Sequence, residues 1–283
     1  MKKPLMLIAA LVVLFAGCGK AKEANVNLGV TSASPGASTS AAPGASSAPT
    51  ATAKAGSSKA AGGSSPSTSK SGGVTTTPKP AAPGRSNPPK DGRYSYRADG
   101  IVQQGNTNPQ TYSNQTITAD DSHSGAIYSS TVQNSQGTTT TKTQWSSTKV
   151  TLVSIDIESP YGSFKCAYNP QPTIVKFPIK AETYPQQKLS GSGNACGGTL
   201  DISYLRKENV QDATGHTWST WVVHVKTSTT VKFNGTTTTI TSDETRWVSP
   251  DLGVEIKSVS DGTQDSAFGK SKSHVTLLLK SHP

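Results

Sequence analysis

A sharp change of composition near Gly92 divides this chain of 283 residues and limits its foldable part to the C-terminal two-thirds. No aromatic residue occurs between Phe15 and Tyr94, and Ala, Ser, Thr, Gly and Pro fill 49 of the 54 positions from Thr31 to Gly84. Such a segment cannot bury enough apolar surface to offset the entropy lost on ordering it. We therefore expect a disordered linker over residues 18–91 and one folded domain over residues 92–283.

The first residues predict export from the cytoplasm. Lys2 and Lys3 precede an apolar run from Pro4 to Phe15, which is typical of a signal peptide and too short to cross a bilayer. The following Phe15-Ala16-Gly17-Cys18 resembles the lipobox of bacterial lipoproteins. That resemblance implies a signal peptide over residues 1–17, a lipid on Cys18 and anchoring at the extracytoplasmic face of the cell membrane. The alternative is a secretory signal with an incidental cysteine.

The excess positive charge belongs to the linker and not to the domain. Residues 1–91 carry a net charge of +8 and residues 92–283 carry +2, within a total of +10. Because the basic residues are spread along a tail and do not form a patch on a folded face, they give no indication of nucleic-acid binding.

From Gly92 onward, period-2 alternation predicts antiparallel β-structure. Trp221, Val223 and Val225 share one face of a strand and Val222, His224 and Lys226 the other. Likewise Leu252, Val254 and Ile256 alternate with Glu255 and Lys257, which places Glu255 on a polar face. We expect an all-β domain of about ten strands, forming one curved antiparallel sheet or a barrel-like structure. Periodicity does not distinguish a half-barrel from a barrel or a sandwich.

Two cysteines remain in the domain if Cys18 carries lipid. Cys166 and Cys196 are therefore predicted to form a disulfide, because an exported domain folds under oxidising conditions. The loop between them contains Pro170, Pro172, Pro178 and Pro185, which disfavour regular central strands.

Three further segments resemble a group of uncharacterised secreted lipoproteins of high-GC Gram-positive (actinobacterial) type. They are Gly92-Arg93-Tyr94-Ser95-Tyr96, the region around Cys166, and the segment from Thr245 to Val254. The resemblance implies a cell-surface β domain. An antiparallel sheet on an exported lipoprotein also looks distantly like the half-barrel lipid carriers, although no residue can be carried across from them.

The sequence contains no pattern typical of a catalytic, metal or cofactor site. Five histidines (His123, His216, His224, His274 and His282) lack metal-ligand spacing. Asp156 and Glu158 lie at i and i+2 on one strand, as on a solvated face. We predict a protein that is not an enzyme, with no cofactor and no metal. An envelope hydrolase using Asp156, Glu158 or His224 is the least favoured alternative.

Aromatic residues are the remaining candidates for a binding function. Trp and Tyr on a β-surface can stack on sugars or line an apolar cavity. The candidates are Trp145, Trp218, Trp221, Trp247 and Tyr204. By parity Trp221 faces the core and Trp218 is expected to be exposed. The sequence thus favours a non-enzymatic binding or interaction module of the cell envelope, with a lipid or a glycan as candidate ligand. The alternative is a lipid carrier with an apolar cavity.

Overall fold

Fifteen β-strands and no helix make up the secondary structure of the residues that the structure, a computed structural model, describes. These are residues 79–283 except 135, 136, 160, 161, 234, 235, 267 and 268. The predicted signal peptide, Cys18 and the linker up to residue 78 lie outside the described residues. Strand β1 begins at Gly92, the expected start of the domain, but the chain is already hydrogen-bonded to the domain at Ala81.

Eleven strands have seven residues or more, close to the number expected from sequence: β1 (Gly92–Gln104), β2 (Gln110–Ser124), β3 (Ile127–Asn134), β4 (Gly137–Trp145), β5 (Lys149–Ser159), β6 (Gly162–Tyr168), β11 (Gly197–Gln211), β12 (Thr217–Phe233), β13 (Thr236–Val248), β14 (Glu255–Ser266) and β15 (Gly269–Ser281). Four strands of two to four residues lie in the proline-containing loop between the cysteines: β7 (Thr173–Lys176), β8 (Glu182–Thr183), β9 (Gln187–Leu189) and β10 (Gly191–Gly193).

All strands belong to one open antiparallel sheet, which confirms the predicted fold class. Its order is β10-β6-β5-β4-β3-β2-β1-β15-β14-β13-β12-β11-β8, with β7 on β5 and β9 on β11. The two ends of the sheet are connected through residues 189–191, where Leu189 of β9 pairs with Gly198 and Gly191 of β10 pairs with Tyr168. The Cys166–Cys196 disulfide is present beside this segment and confirms the predicted pairing.

The inward face can be followed from strand to strand by register. Tyr204 of β11 pairs with Val223 of β12, Val223 with Arg246 of β13, and Arg246 with Ser258 of β14. Apolar side chains from β5 and β6 pack against those of β11 and β12 in one cluster, with Leu152 and Leu200 essentially inaccessible to solvent. Full burial of each such side chain stabilises the fold by roughly 1.5–3 kcal/mol. The sheet is therefore bent so that two arms, one containing β2 to β7 and the other containing β11 to β14, face each other across this core.

Candidate ligand-binding site

A cavity of about 170 Å³ lies between the two arms of the sheet. Most of its wall is apolar, and Tyr204 and Trp221 contribute aromatic rings. The apolar lining comprises Val150, Ile174, Val175 and Ile179 from one arm, and Ile202, Val223, Val225, Val248 and Val254 from the other. An engineered apolar cavity of about 150 Å³ holds benzene, so this cavity has room for a guest of about six carbon atoms.

The last part of the predicted linker covers one side of the cavity. Residues 79–90, here called the strap, contribute Ser86 and Pro89 to the cavity wall. The strap is fixed to the turn that follows β13: the Ala81 amide donates to Asp251 Oδ1 at 2.7 Å, and the Asn87 side-chain amide donates to the Asp251 carbonyl at 3.0 Å. The contact requires Gly253, since a Cβ there would lie 2.1 Å from the Asn87 carbonyl oxygen.

The strap also holds the opposite arm. The Ile179 amide donates to the Gly84 carbonyl at 2.6 Å, and Arg85 donates to the Ser147 carbonyl at 2.8 Å. The Arg85 guanidinium lies 5.7 Å from the ring centre of Phe177, which is a cation–π distance. The strap therefore joins the two arms beside the cavity.

Buried charged groups stand beside the apolar wall. Arg246 and Glu255 both line the cavity, and their side chains are 10% and 4% exposed. The Arg246 guanidinium donates through Nη2 to Glu244 Oε2 at 2.5 Å. Its Nε atom lies 3.9 Å from Glu255 Oε2. Burial raises the pKa of Glu255 to about 8, a shift that Glu244 reinforces and Arg246 opposes.

The inward direction of Glu255 corrects the expectation from sequence. A β-bulge between Trp247 and Val248 shifts the register, so that Trp247 pairs with Lys257 whereas Val248 pairs with Glu255. Because a bulge inserts one extra residue, the alternation of faces is interrupted and Glu255 shares the inward face of Val248. Ile256 is buried as well, so the neighbouring side chains of Glu255 and Ile256 are both enclosed by protein.

A second carboxyl lines the cavity from the other arm. Asp121 of β2 is 7% exposed and accepts a hydrogen bond from the Ser130 hydroxyl of β3. Burial raises the pKa of Asp121 to about 7, while the bond from Ser130 acts in the opposite direction. The cavity thus has an apolar wall and several polar groups, as small-molecule sites in proteins commonly have.

The three residues of the hydrolase alternative do not meet at this cavity. Asp156 and Glu158 are on the outer face of β5, opposite the buried Ile155 and Ile157. His224 is on the outer face of β12, between the inward Val223 and Val225, where Nε2 pairs with Asp243 Oδ1 at 2.5 Å. These groups belong to different arms of the sheet and point away from its interior.

The predicted aromatic candidates divide between the cavity and other places. Trp221, Tyr204 and Trp145 line the cavity. Trp247 is on the outer face, where its indole N–H donates to Glu208 and Lys257 lies 4.7 Å from the ring centre.

Trp218 is not exposed, contrary to the expectation from parity. It is 7% exposed and donates to Asp212 Oδ2 at 2.9 Å. The β11–β12 turn reaches β15, where the Ala213 amide donates to the Leu279 carbonyl, and the His282 ring lies 5.5 Å from Trp218. Long-range packing of this turn therefore buries the outward ring.

Neither a metal cluster nor a membrane-spanning helix is found among the described residues. No three of their His, Cys, Asp and Glu side chains are grouped so that they could hold a metal ion. No helix in the same part of the chain is long and apolar enough to cross a bilayer.

Sequence reasoning missed the strap, Asp121 and the pair Arg246–Glu255. The sequence does contain one signal for the buried charges: Glu244 and Arg246 alternate in step with Val248 on β13, so all three side chains lie on the inward face of that strand. Comparison with known proteins adds no assignment, because no protein-family model matches the chain and no curated protein matches it.

Proposed function

We propose that this protein is a membrane-anchored extracytoplasmic lipoprotein, not an enzyme, whose β domain binds a small apolar or amphipathic molecule between the arms of its sheet. The observation that carries the binding role is the cavity of about 170 Å³, walled by Val, Ile, Tyr and Trp side chains. A purely structural or interaction module has no need of such a space, because protein interiors normally pack with few voids larger than a water molecule.

The size of the cavity limits the ligand. About six carbon atoms fit, by comparison with engineered cavities that hold benzene. The occupant is therefore a small compound or one end of a longer chain whose remainder lies outside. This favours an apolar or amphipathic ligand over a glycan, since most of the cavity wall is apolar.

The proposed anchor places the domain at the membrane surface. It depends on the apolar run from Pro4 to Phe15 and on Cys18 in its lipobox-like setting. Two acyl chains would anchor the protein durably, whereas one would not. Metabolic labelling with a radioactive fatty acid tests the anchor: label is expected on the wild-type chain and not on Cys18→Ala. Equal labelling of the two would exclude the lipid site.

Native mass spectrometry of the full chain purified from its host membrane tests the binding role. We expect a bound small molecule on the wild-type protein, and its loss from Val248→Phe, which fills the cavity. Ile101→Phe is the matched control, because Ile101 is 42% exposed and should tolerate the larger ring with the ligand retained. Bare wild-type protein that also fails to bind added benzene would contradict the proposal and leave the interaction module as the better hypothesis.

A further inference from the structure

The polar groups of the cavity restrict the chemistry of its ligand. Arg246 is the one guanidinium among the described residues that line the cavity, and it faces two carboxyls: it is hydrogen-bonded to Glu244 and lies 3.9 Å from Glu255. Asp121 adds a third carboxyl from the opposite arm. The positive charge is therefore already balanced before any ligand enters.

Glu255 has unused hydrogen-bonding capacity. Its Oε1 accepts a long bond of 3.5 Å from the Ser258 hydroxyl. Its Oε2 is buried and has no hydrogen-bond partner among the described residues. A buried polar atom left in this way costs about 1–3 kcal/mol, so a guest that bonds to it gains affinity.

From this arrangement we propose that the cavity binds a neutral molecule with a hydrogen-bonding head, an alcohol or a primary amide, in preference to a carboxylate or an ammonium ion. The inference rests on the proposed function, since it concerns the ligand of the same cavity. The apolar part of the guest lies against the wall formed by Ile202, Val223 and Val225, and its head bonds to Glu255 Oε2.

A carboxylate head fits poorly because it brings a further negative charge into a buried site where Arg246 is already paired with Glu244. Burial of an unpaired charge costs far more than burial of a neutral hydroxyl.

An ammonium head has the converse problem. It has no lone pair, so it requires the ionised form of Glu255. Burial raises the pKa of Glu255, which favours the neutral form of the side chain. A hydroxyl or an amide both donates and accepts, and therefore bonds to Glu255 in either protonation state.

Four probes of similar size test this selectivity: benzene, hexan-1-ol, hexanoate and hexylamine. Binding is measured at pH 7 by NMR titration of residues 19–283, which retain every described residue. We expect hexan-1-ol to bind at least about tenfold more tightly than hexanoate and hexylamine. Tighter or equal binding of either ion, with benzene still bound, would overturn the selectivity and leave the binding role intact. Failure of all four probes would refute both.

Variants of Glu255 separate recognition from folding. Glu255→Gln keeps a neutral donor and acceptor, and we expect it to keep the preference for hexan-1-ol. Glu255→Leu should lose that preference by about tenfold while benzene still binds, which also reports that the cavity is folded. The control is Glu158→Leu on the outer face of β5, where the side chain is 63% exposed and the preference should be unchanged. An unaltered preference in Glu255→Leu would overturn the proposal.

Discussion

The two ends of the sheet interior differ in how completely they are filled. The end beside the disulfide contains a void of only about 20 Å³, and the described residues that line it, among them Phe164, Cys166 and Leu189, include no charged side chain. At the other end the cavity is about 170 Å³ and Asp121, Arg246 and Glu255 line it. The same strand, β12, serves both, since Val231 lies at the first and Val225 at the second.

The difference indicates a division of work within one sheet. Dense apolar packing and a covalent link stabilise the disulfide end, where the two arms meet. Buried carboxyls and a void reduce stability at the cavity end, and proteins commonly retain such costs at functional sites. Changes at the disulfide end should therefore affect folding, while changes at the cavity should affect binding.

Truncation of a core ring at the disulfide end is expected to have the largest effect. Phe164 is 4% exposed, and Phe164→Ala should destabilise the domain by about 3–5 kcal/mol, because it leaves a large cavity in a packed region. Urea denaturation measures the loss. A loss below about 1 kcal/mol would mean that this end is not densely packed.

Removal of the disulfide should cause the next largest loss of stability. The double variant Cys166→Ala/Cys196→Ala frees a loop with a sequence separation of 30 residues. The chain-entropy model gives a cost of roughly 3–4 kcal/mol for closing a loop of this length. Reduction of the wild-type protein should produce a similar loss in urea denaturation, and unchanged stability in both experiments would contradict a structural role for the bond.

The cavity end should make stability depend on pH. Asp121 and Glu255 have pKa values raised to about 7 and about 8, whereas in an unfolded chain both are near 4. The stability that their neutral forms contribute is complete below about pH 4 and is lost as pH rises towards 8, because the unfolded chain releases these protons first. Each group contributes a slope of up to about 1.4 kcal/mol per pH unit.

Urea denaturation at pH 5 and at pH 8 checks this dependence, because the free energies of unfolding at the two pH values can be compared between each variant and the wild type. Asp121→Asn should have a flatter profile than the wild type, whereas Asp156→Asn, on the outer face, should have the wild-type profile. Identical profiles for Asp121→Asn and the wild type would show that Asp121 does not titrate as its burial requires.

The strap offers a smaller effect. Asn87→Ala removes the side-chain bonds to the Asp251 and Lys79 carbonyls, at 3.0 and 2.7 Å. We expect a loss of about 1 kcal/mol, faster amide exchange over residues 79–90 and faster exchange of bound benzene. Asn209→Ala, at an exposed position on β11, is the control. Unchanged ligand exchange would mean that the strap does not restrict access to the cavity.

Local pattern accounts for much of the fold and little of the site. Period-2 alternation predicted the strands and the inward direction of Trp221, and cysteine arithmetic predicted the disulfide. The inward direction of Glu255 depends on a bulge, and the burial of Trp218 on a turn packed against a distant strand, neither of which leaves a local signal. The strap has the composition of the linker, and only its contacts distinguish it.

Methyl NMR of residues 19–283 titrated with benzene tests the central claim most directly. The account predicts shifts at Val223, Val225 and Ile202, which line the larger cavity, and none at Val231, which lies at the disulfide end of the same interior. Shifts at neither end, or equal shifts at Val225 and Val231, would contradict a binding cavity between the arms of the sheet.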